Sequence, residues 1–226
     1  MTIIIPSLFR VPRIYQTLIE LSNCPYVDEI ILIDNTSNKN KIDLPKLTHI
    51  CEEKNTYINP AWNKAVSLSK TDELCLVGDD TWFDWNYLEK ISKFITEENG
   101  MIGMAMENYS NPKNTFEINK IQPSYKSKKG ERFFGYGCCF FMHKKNWKDI
   151  PNGMKLWGGD DWAFYAHDKP NLVIEGLKVE GYISATLDAK ELEEEFNPIK
   201  HNDMLLIKEE IIKGNIDNFL LNTKWW

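Results

Sequence analysis

The stretch Glu73-Leu74-Cys75-Leu76-Val77-Gly78-Asp79-Asp80 decides the fold. An apolar strand over Glu73 to Val77 runs straight into a glycine and two adjacent acids, which places both carboxylates at the rim of a sheet. Working upstream, Pro60 to Leu68 predicts a helix, with Pro60 in its first turn and Ala61, Ala65 and Leu68 on one face. Strands are expected at Leu47 to Cys51 and at Val27 to Ile33, the second ended by the turn-forming string Asp34-Asn35-Thr36-Ser37-Asn38. Before these lie a helix over Pro12 to Leu21, carrying Ile14, Leu18 and Leu21 at helical spacing, and a β-branched run from Thr2 to Ile5 stopped by Pro6. Strands alternating with helices at this density predict an α/β protein with a mostly parallel, doubly wound sheet. Ligands of such sheets bind beyond the carboxyl ends of the strands, where Asp34 and Asp79-Asp80 fall.

Downstream the pattern is less regular. Asp84 to Ile95 reads as a helix, Met101 to Met106 as a strand, and residues 108 to 131 as a long polar loop. Phe133 to Met142 reads as a glycine-interrupted strand, Asp160 to Tyr165 opens a helix, Asn171 to Val179 forms a strand or hairpin, and residues 202 to 213 form an amphipathic helix.

The chain has 226 residues, 42% of them hydrophobic, enough for one substantial core and hence one domain over residues 1–226. Its net charge of −6 excludes a general electrostatic pull toward nucleic acid or anionic membrane, so any basic surface must be local. The five cysteines (Cys24, Cys51, Cys75, Cys138, Cys139) lack Cys-x-x-Cys spacing, which favours buried free thiols over a zinc site or redox pair. No apolar stretch approaches the ~20 residues that cross a bilayer, and no basic region precedes an apolar one at the N-terminus. A soluble, cytoplasmic protein is expected.

Two adjacent carboxylates repel and need a cation or donor groups beside them. Hard divalent cations, Mg2+ or Mn2+, bind through one or two carboxylates together with the phosphates of a substrate, and can neutralise the charge on a departing diphosphate. The plainer reading of Gly78-Asp79-Asp80-Thr81 is a strand-terminal turn followed by a helix cap.

Neighbouring motifs favour the first reading. Thr2-Ile3-Ile4-Ile5-Pro6-Ser7, Ile31-Leu32-Ile33-Asp34-Asn35-Thr36-Ser37, Asn63 on a helix and Leu76-Val77-Gly78-Asp79-Asp80 occur in that order. They are followed by Phe133-Phe134-Gly135-Tyr136-Gly137-Cys138-Cys139-Phe140-Phe141-Met142 and by Trp157-Gly158-Gly159-Asp160-Asp161-Trp162. Over approximately residues 2 to 205 the chain resembles family 2 glycosyltransferases with the GT-A fold. The resemblance implies a metal-dependent hexosyl- or pentosyltransferase that moves a sugar from a nucleotide-diphosphate sugar to a hydroxyl, with inversion. It divides the chain into a donor half (1–106), an acceptor half (107–205) and a C-terminal helix and tail (206–226).

It also implies roles. Pro6, Ser7, Arg10, Asp34, Asn63 and Asp79 would bind the donor, Asp34 at its nucleobase or ribose unless it is only an Asx-turn acid that caps the strand, while Asp80 would take the metal. Gly78 stands where the family often has another polar residue, and the adjacency of the two aspartates leaves their division of labour open. Asp160 and Asp161 match the acceptor-side acids, Asp161 as the base that takes the attacking hydroxyl's proton and Asp160 as its orienting partner. The plainer reading of that pair is an acidic helix start. His201 falls where many members carry a late metal-ligating histidine, with Asp188 or His167 as substitutes. Trp157 and Trp162 would stack on a sugar ring or fill core.

Charge runs against the global balance between 120 and 132, where Lys120, Lys126, Lys128, Lys129 and Arg132 face only Glu131. Either these solvate a loop, or Lys126, Lys128 and Lys129 recruit an anionic acceptor: a phosphate-bearing glycan, a lipid carrier, or DNA carrying a hydroxylated base. A non-catalytic nucleotide-sugar or glycan-binding module and a nucleotidyltransferase are the competing readings. The second lacks its glycine-rich phosphate loop at Ser7-Leu8-Phe9-Arg10.

Overall fold

A computed structural model describes residues 1–38, 40–105, 107–110, 112, 115–120, 137–181 and 190–215. Residues 1–106 contribute β1 (Thr2–Ser7), α1 (Ile14–Asn23), β2 (Glu29–Asp34), β3 (Leu47–Cys51), α2 (Ile58–Leu68), β4 (Glu73–Val77), β5 (Thr81–Phe83), α3 (Leu88–Ser92) and β6 (Ile102–Met104). The rest contributes α4 (Glu107–Ser110), β7 (Glu117–Lys120), β8 (Cys139–His143), α5 (Gly159–Tyr165), β9 (Leu172–Glu175), β10 (Val179–Gly181) and α6 (Glu193–Ile212).

Eight strands form one sheet in the order β3-β2-β1-β4-β8-β6-β9-β7. Strands β1 to β4 are mutually parallel, and β6 and β9 run with them; only β7 and β8 oppose. The chain leaves β1 to build β2 and β3 on one side and returns to build β4 on the other. The switch point therefore lies between β1 and β4, and open α/β sheets bind their ligands beyond the strand ends at such a point.

The apolar runs of β1, β2, β4 and β8 face both ways, as a sheet covered on both sides requires. Ile3, Ile5, Ile30, Leu32, Cys75, Val77, Cys139 and Phe141 pack into one layer with α1, whose Ile14, Leu18 and Leu21 are fully buried. Ile4, Ile31, Ile33, Leu74, Leu76, Phe140 and Met142 pack into the other, with α2, α5 and α6. Trp62 and Val66, not Leu68, accompany Ala61 and Ala65 on the buried side of α2; Leu68 is about half exposed.

Several expected elements change. The 84–95 helix splits into a 3-10 turn at Trp85–Tyr87 and the short α3. The long polar loop contains α4 and β7; the latter is an edge strand paired with β9, and its mostly exposed residues give no apolar alternation to read. Residues 171–179 do not form a hairpin: β9 joins the main sheet, and Val179–Gly181 pairs with β5 in a separate ribbon. Helix α6 starts nine residues before the predicted 202, carrying Pro198 inside it. Of the predicted 133–142 strand, residues 133–136 lie outside the described residues and β8 begins at Cys139. Among the described residues no helix is long and apolar enough to cross a membrane.

Candidate functional site

The switch point is closed by a contact between the first and fourth strands. Ser7, the last residue of β1, is buried and donates its hydroxyl to Oδ2 of Asp79 at 2.5 Å, while the Ser7 Oγ itself accepts the Phe9 amide at 2.8 Å. Phe9 adopts a left-handed backbone (φ 53°), which turns the chain sharply after β1. Burial pushes the Asp79 carboxyl up to about 6, and the charge of Asp80 adds to this; the Ser7 hydroxyl and the backbone N–H groups of Leu8 and Phe9 oppose it. A carboxylate so placed gains from any cation that arrives beside it.

Asp34 ends β2 in register with Ser7. It is buried, and Oδ1 accepts from the Thr36 amide at 2.8 Å and the Thr36 hydroxyl at 2.6 Å, an Asx-type turn that fixes the carboxylate. Its Oδ2 faces Nε2 of buried His49 at 3.4 Å, and Cys51 Sγ lies 3.7 Å from the same nitrogen. The ligand atoms of Asp34, His49 and Cys51 lie within 4.8 Å of one another, the one such group among the described residues that could hold an ion. The Ile42 amide donates to His49 Nδ1 at 2.9 Å, so the neutral ring carries its proton on Nε2, toward Asp34 and Cys51. A metal there would have to displace that proton, and the fit is poor.

One member of each acid pair, Asp80 and Asp160, acts on the turn just before β8. The Gly78 amide donates to the Cys138 carbonyl at 2.8 Å, tying the end of β4 to the turn before β8. A Cβ at Gly78 would lie 2.7 Å from Asp80 Oδ1, and one at Gly137 would lie 2.8 Å from Asp160 Oδ2. Burial, then the charges of Asp80 and Asp160, push the Cys138 thiol up to about 12, which removes it as a nucleophile. Asp80 and Asp160 thus flank one dipeptide. Asp160 and Asp161 are both buried in the first turn of α5, which follows a left-handed Gly158 (φ 71°) where an added Cβ would strike Ile207.

The other predicted residues fall as follows. Pro6 is half-buried within β1, and Arg10 is exposed in the loop after it. Asn63 gives its amide to the backbone of Ile150 in both directions, donating to the carbonyl and accepting the N–H at 2.9 Å each. That use joins α2 to the chain before α5 and leaves little of the amide for a donor. Trp162 is core, with its indole N–H on the Lys148 carbonyl at 3.0 Å, so it does not stack on a sugar. Trp157 is half-buried with the Lys200 ammonium 5.4 Å from its ring centre. His201 is exposed on α6 while Asp203, two residues on, is fully buried; at 3.6 residues per turn the two occupy opposite faces, and the helix turns the imidazole outward. His201 therefore shares no ligand cluster with Asp80 among the described residues. Its substitute His167 is part-buried with its titration pushed down by burial, and Asp188 lies outside the described residues. Lys126, Lys128 and Lys129 also lie outside the described residues.

Sequence reading missed three residues that shape this region. His49 faces Asp34, Asn59 binds the backbone of 155–157, and Asp203 binds the same segment from α6. Only Asp203 left a readable trace: it interrupts the apolar face formed by Phe196, Ile207 and Ile211.

A mostly parallel sheet with carboxylates at the ends of its first strands is an α/β arrangement of the GT-A type. The chain belongs to glycosyltransferase family 2: the profile described as Glycosyl transferase family 2 matches residues 2–150. Solved structures share the fold at low identity. TarS of S. aureus in complex with UDP-GlcNAc aligns with a TM-score of 0.56 and 14% identity, covering 88% of this chain and 64% of that one. HddC from Yersinia pseudotuberculosis aligns at 0.53 and 15%, covering 87% and 99%. GalNAc-T7 with UDP, GalNAc and Mn2+ aligns at 0.53 and 14%, covering 81% and 43%. The chain spans 57% of the TarS 1–349 structure and 40% of the longer TarS structure. No curated protein matches it in sequence.

Proposed function

We propose that this chain transfers a sugar from a nucleotide-diphosphate sugar to a hydroxyl acceptor, with inversion at the anomeric carbon, and that it works with a divalent metal. The observation that carries the reading is the Ser7–Asp79 bond across the switch point, with Asp34 in register with Ser7 on one side and, on the other, Asp80 and Asp160 each close enough to Cys138 for its charge to act on the thiol. Acids from both parts of the chain would then serve one site.

In this reading Asp34, fixed by Thr36, accepts from the nucleobase or ribose, and Asp79 lies toward the ribose or sugar. Asp80, half-buried at the rim with Asp79 beside it, would hold a magnesium or manganese ion, which when bound neutralises charge on the leaving diphosphate. The buried Asp34–His49–Cys51 group is the poorer seat, because His49 presents a proton there. Asp161 takes the proton of the acceptor hydroxyl as its oxygen bonds to the anomeric carbon and the bond from that carbon to the diphosphate oxygen breaks. Asp160 orients that base. Residues 1–106 form the donor half and 107–205 the acceptor half. If Lys126, Lys128 and Lys129 do more than solvate their loop, they recruit an anionic acceptor: a phosphate-bearing glycan, a lipid carrier, or DNA carrying a hydroxylated base.

A screen of nucleotide sugars by thermal shift, with and without Mn2+, tests the reading, since a ligand that binds the native state raises its melting temperature. One donor should stand out, and more strongly with metal. A donor that is bound but neither hydrolysed nor transferred would reduce the protein to a binding module, and no shift with any donor would remove the reading.

A further inference from the structure

The proposed acceptor-side acids follow a segment gripped on one side by α6, which lies beyond the residues that match the family profile. Asp203 on α6 is fully buried, and its carboxylate accepts three consecutive backbone N–H groups: Lys155 on Oδ1 at 3.0 Å, then Leu156 and Trp157 on Oδ2 at 2.6 and 2.8 Å. From the other side Asn59 of α2 donates its backbone N–H to the Lys155 carbonyl at 2.9 Å and its side-chain amide to the Trp157 carbonyl at 3.2 Å. Both edges of residues 155–157 are therefore pinned. The chain then passes through Gly158 and Gly159, packed with no room for a Cβ against Ile207 and Asn59, directly into Asp160 and Asp161.

Asp203 occupies a position where α6 otherwise buries apolar groups, Phe196, Ile207 and Ile211. Burying a carboxylate is unfavourable unless it is well hydrogen-bonded, and this one spends both oxygens on a single tripeptide. An apolar residue would serve packing alone. The result matters at the other end of the segment, because the Asp160 carboxylate lies against Gly137 with no room for a Cβ and its charge acts on the Cys138 thiol, so a small shift of the helix start moves that carboxylate against this turn. We propose that Asp203 is a positioning residue that holds Asp160 and Asp161 in working geometry by clamping residues 155–157. The proposal rests on the reading of that pair as the acceptor-side acids.

Asp203→Asn tests it with little change of shape, since one acceptor oxygen becomes an N–H2 facing backbone N–H groups. Three measurements are needed on the full chain: amide hydrogen exchange at 155–157, donor affinity by calorimetry, and transfer kinetics at a temperature where circular dichroism shows both proteins folded. The variant should exchange those amides faster, bind donor as before, and turn over roughly 10- to 100-fold more slowly, the scale on which misplacement acts. Faster exchange with undiminished turnover would overturn the proposal and leave the glycosyltransferase reading intact. Loss of donor affinity alongside turnover would also overturn it, by making Asp203 a general support of the fold. If the variant does not fold, exchange in the unaltered protein decides: the three amides must rank with its core strands, and exchange at the rate of an exposed loop sinks the clamp. An unaltered protein that transfers no sugar removes the acid-pair reading itself, whatever the exchange rates show.

Discussion

Ser7 at the end of β1 and Asp79 just past the end of β4, 72 positions apart, are joined by a hydrogen bond of 2.5 Å at the sheet's switch point. The bond holds the Asp79 carboxylate against the end of β1 while burial and the neighbouring Asp80 push it up to about 6.

That shift has a sign in stability. A carboxyl raised from the ordinary 3.8 to about 6 in the native protein favours folding when protonated. Its contribution is complete below the unfolded value and is lost as pH rises through the native one. Without metal, the unaltered protein should lose up to about 2–3 kcal/mol relative to Asp79→Asn between pH 4 and pH 7, at 1.36 kcal/mol per pKa unit. Urea melts of both proteins across that range measure the difference. A difference that does not change with pH would show that Asp79 is not held protonated by its surroundings.

Asp80→Asn should abolish the manganese dependence of donor binding, because the amide no longer carries the charge that holds the cation. His201→Ala should leave it unchanged, since α6 turns that imidazole to solvent. Calorimetric titration of Mn2+ with a nucleoside diphosphate reads both. The opposite ranking would return His201 to the metal.

Asp161→Asn should retain donor affinity and lower transfer by ~100-fold or more, the scale of general-base catalysis. Donor titration and single-turnover kinetics separate the two effects. If Asp160→Asn alone gives that loss, the roles are exchanged; if donor binding disappears as well, the acid belongs to the metal or the core.

Asn63→Ala should behave as a stability variant. Its amide closes two hydrogen bonds with the Ile150 backbone, and leaving such groups unpaired costs about 1–3 kcal/mol. The melting temperature should fall while the donor dissociation constant of the folded protein stays put. A selective loss of donor affinity would restore Asn63 to the donor site.

Changing Lys126, Lys128 and Lys129 together to Glu should weaken acceptor use and spare donor hydrolysis. With a polyanionic acceptor, the affinity of the unaltered protein should fall steeply with salt, because neutralised phosphates release counterions. Equal transfer by both proteins at low and high salt would make the lysines a solvated surface and the acceptor neutral.

What the sequence determined by itself was the sheet and its rim. The apolar runs at Thr2–Ile5, Val27–Ile33 and Glu73–Val77 report burial on both faces, helical spacing at Ile14, Leu18 and Leu21 reports a covering helix, and strand-terminal acids follow from position alone. These are local periodicities, set by a residue's neighbours along the chain. The edge strand β7 and the β5–β10 ribbon were not readable, because short, partly exposed strands take their pairing from distant partners. Tertiary structure alone decided where the polar side chains spend their hydrogen bonds. The resemblance placed Asn63 with the donor and His201 with the metal, yet the first is turned onto Ile150 and the second outward from α6. Asp203, which matched nothing, is turned fully inward onto Lys155, Leu156 and Trp157. The physical reason is that a buried polar atom must find a partner, and the partner is chosen by which backbone the fold brings within about 3 Å, which no local pattern records.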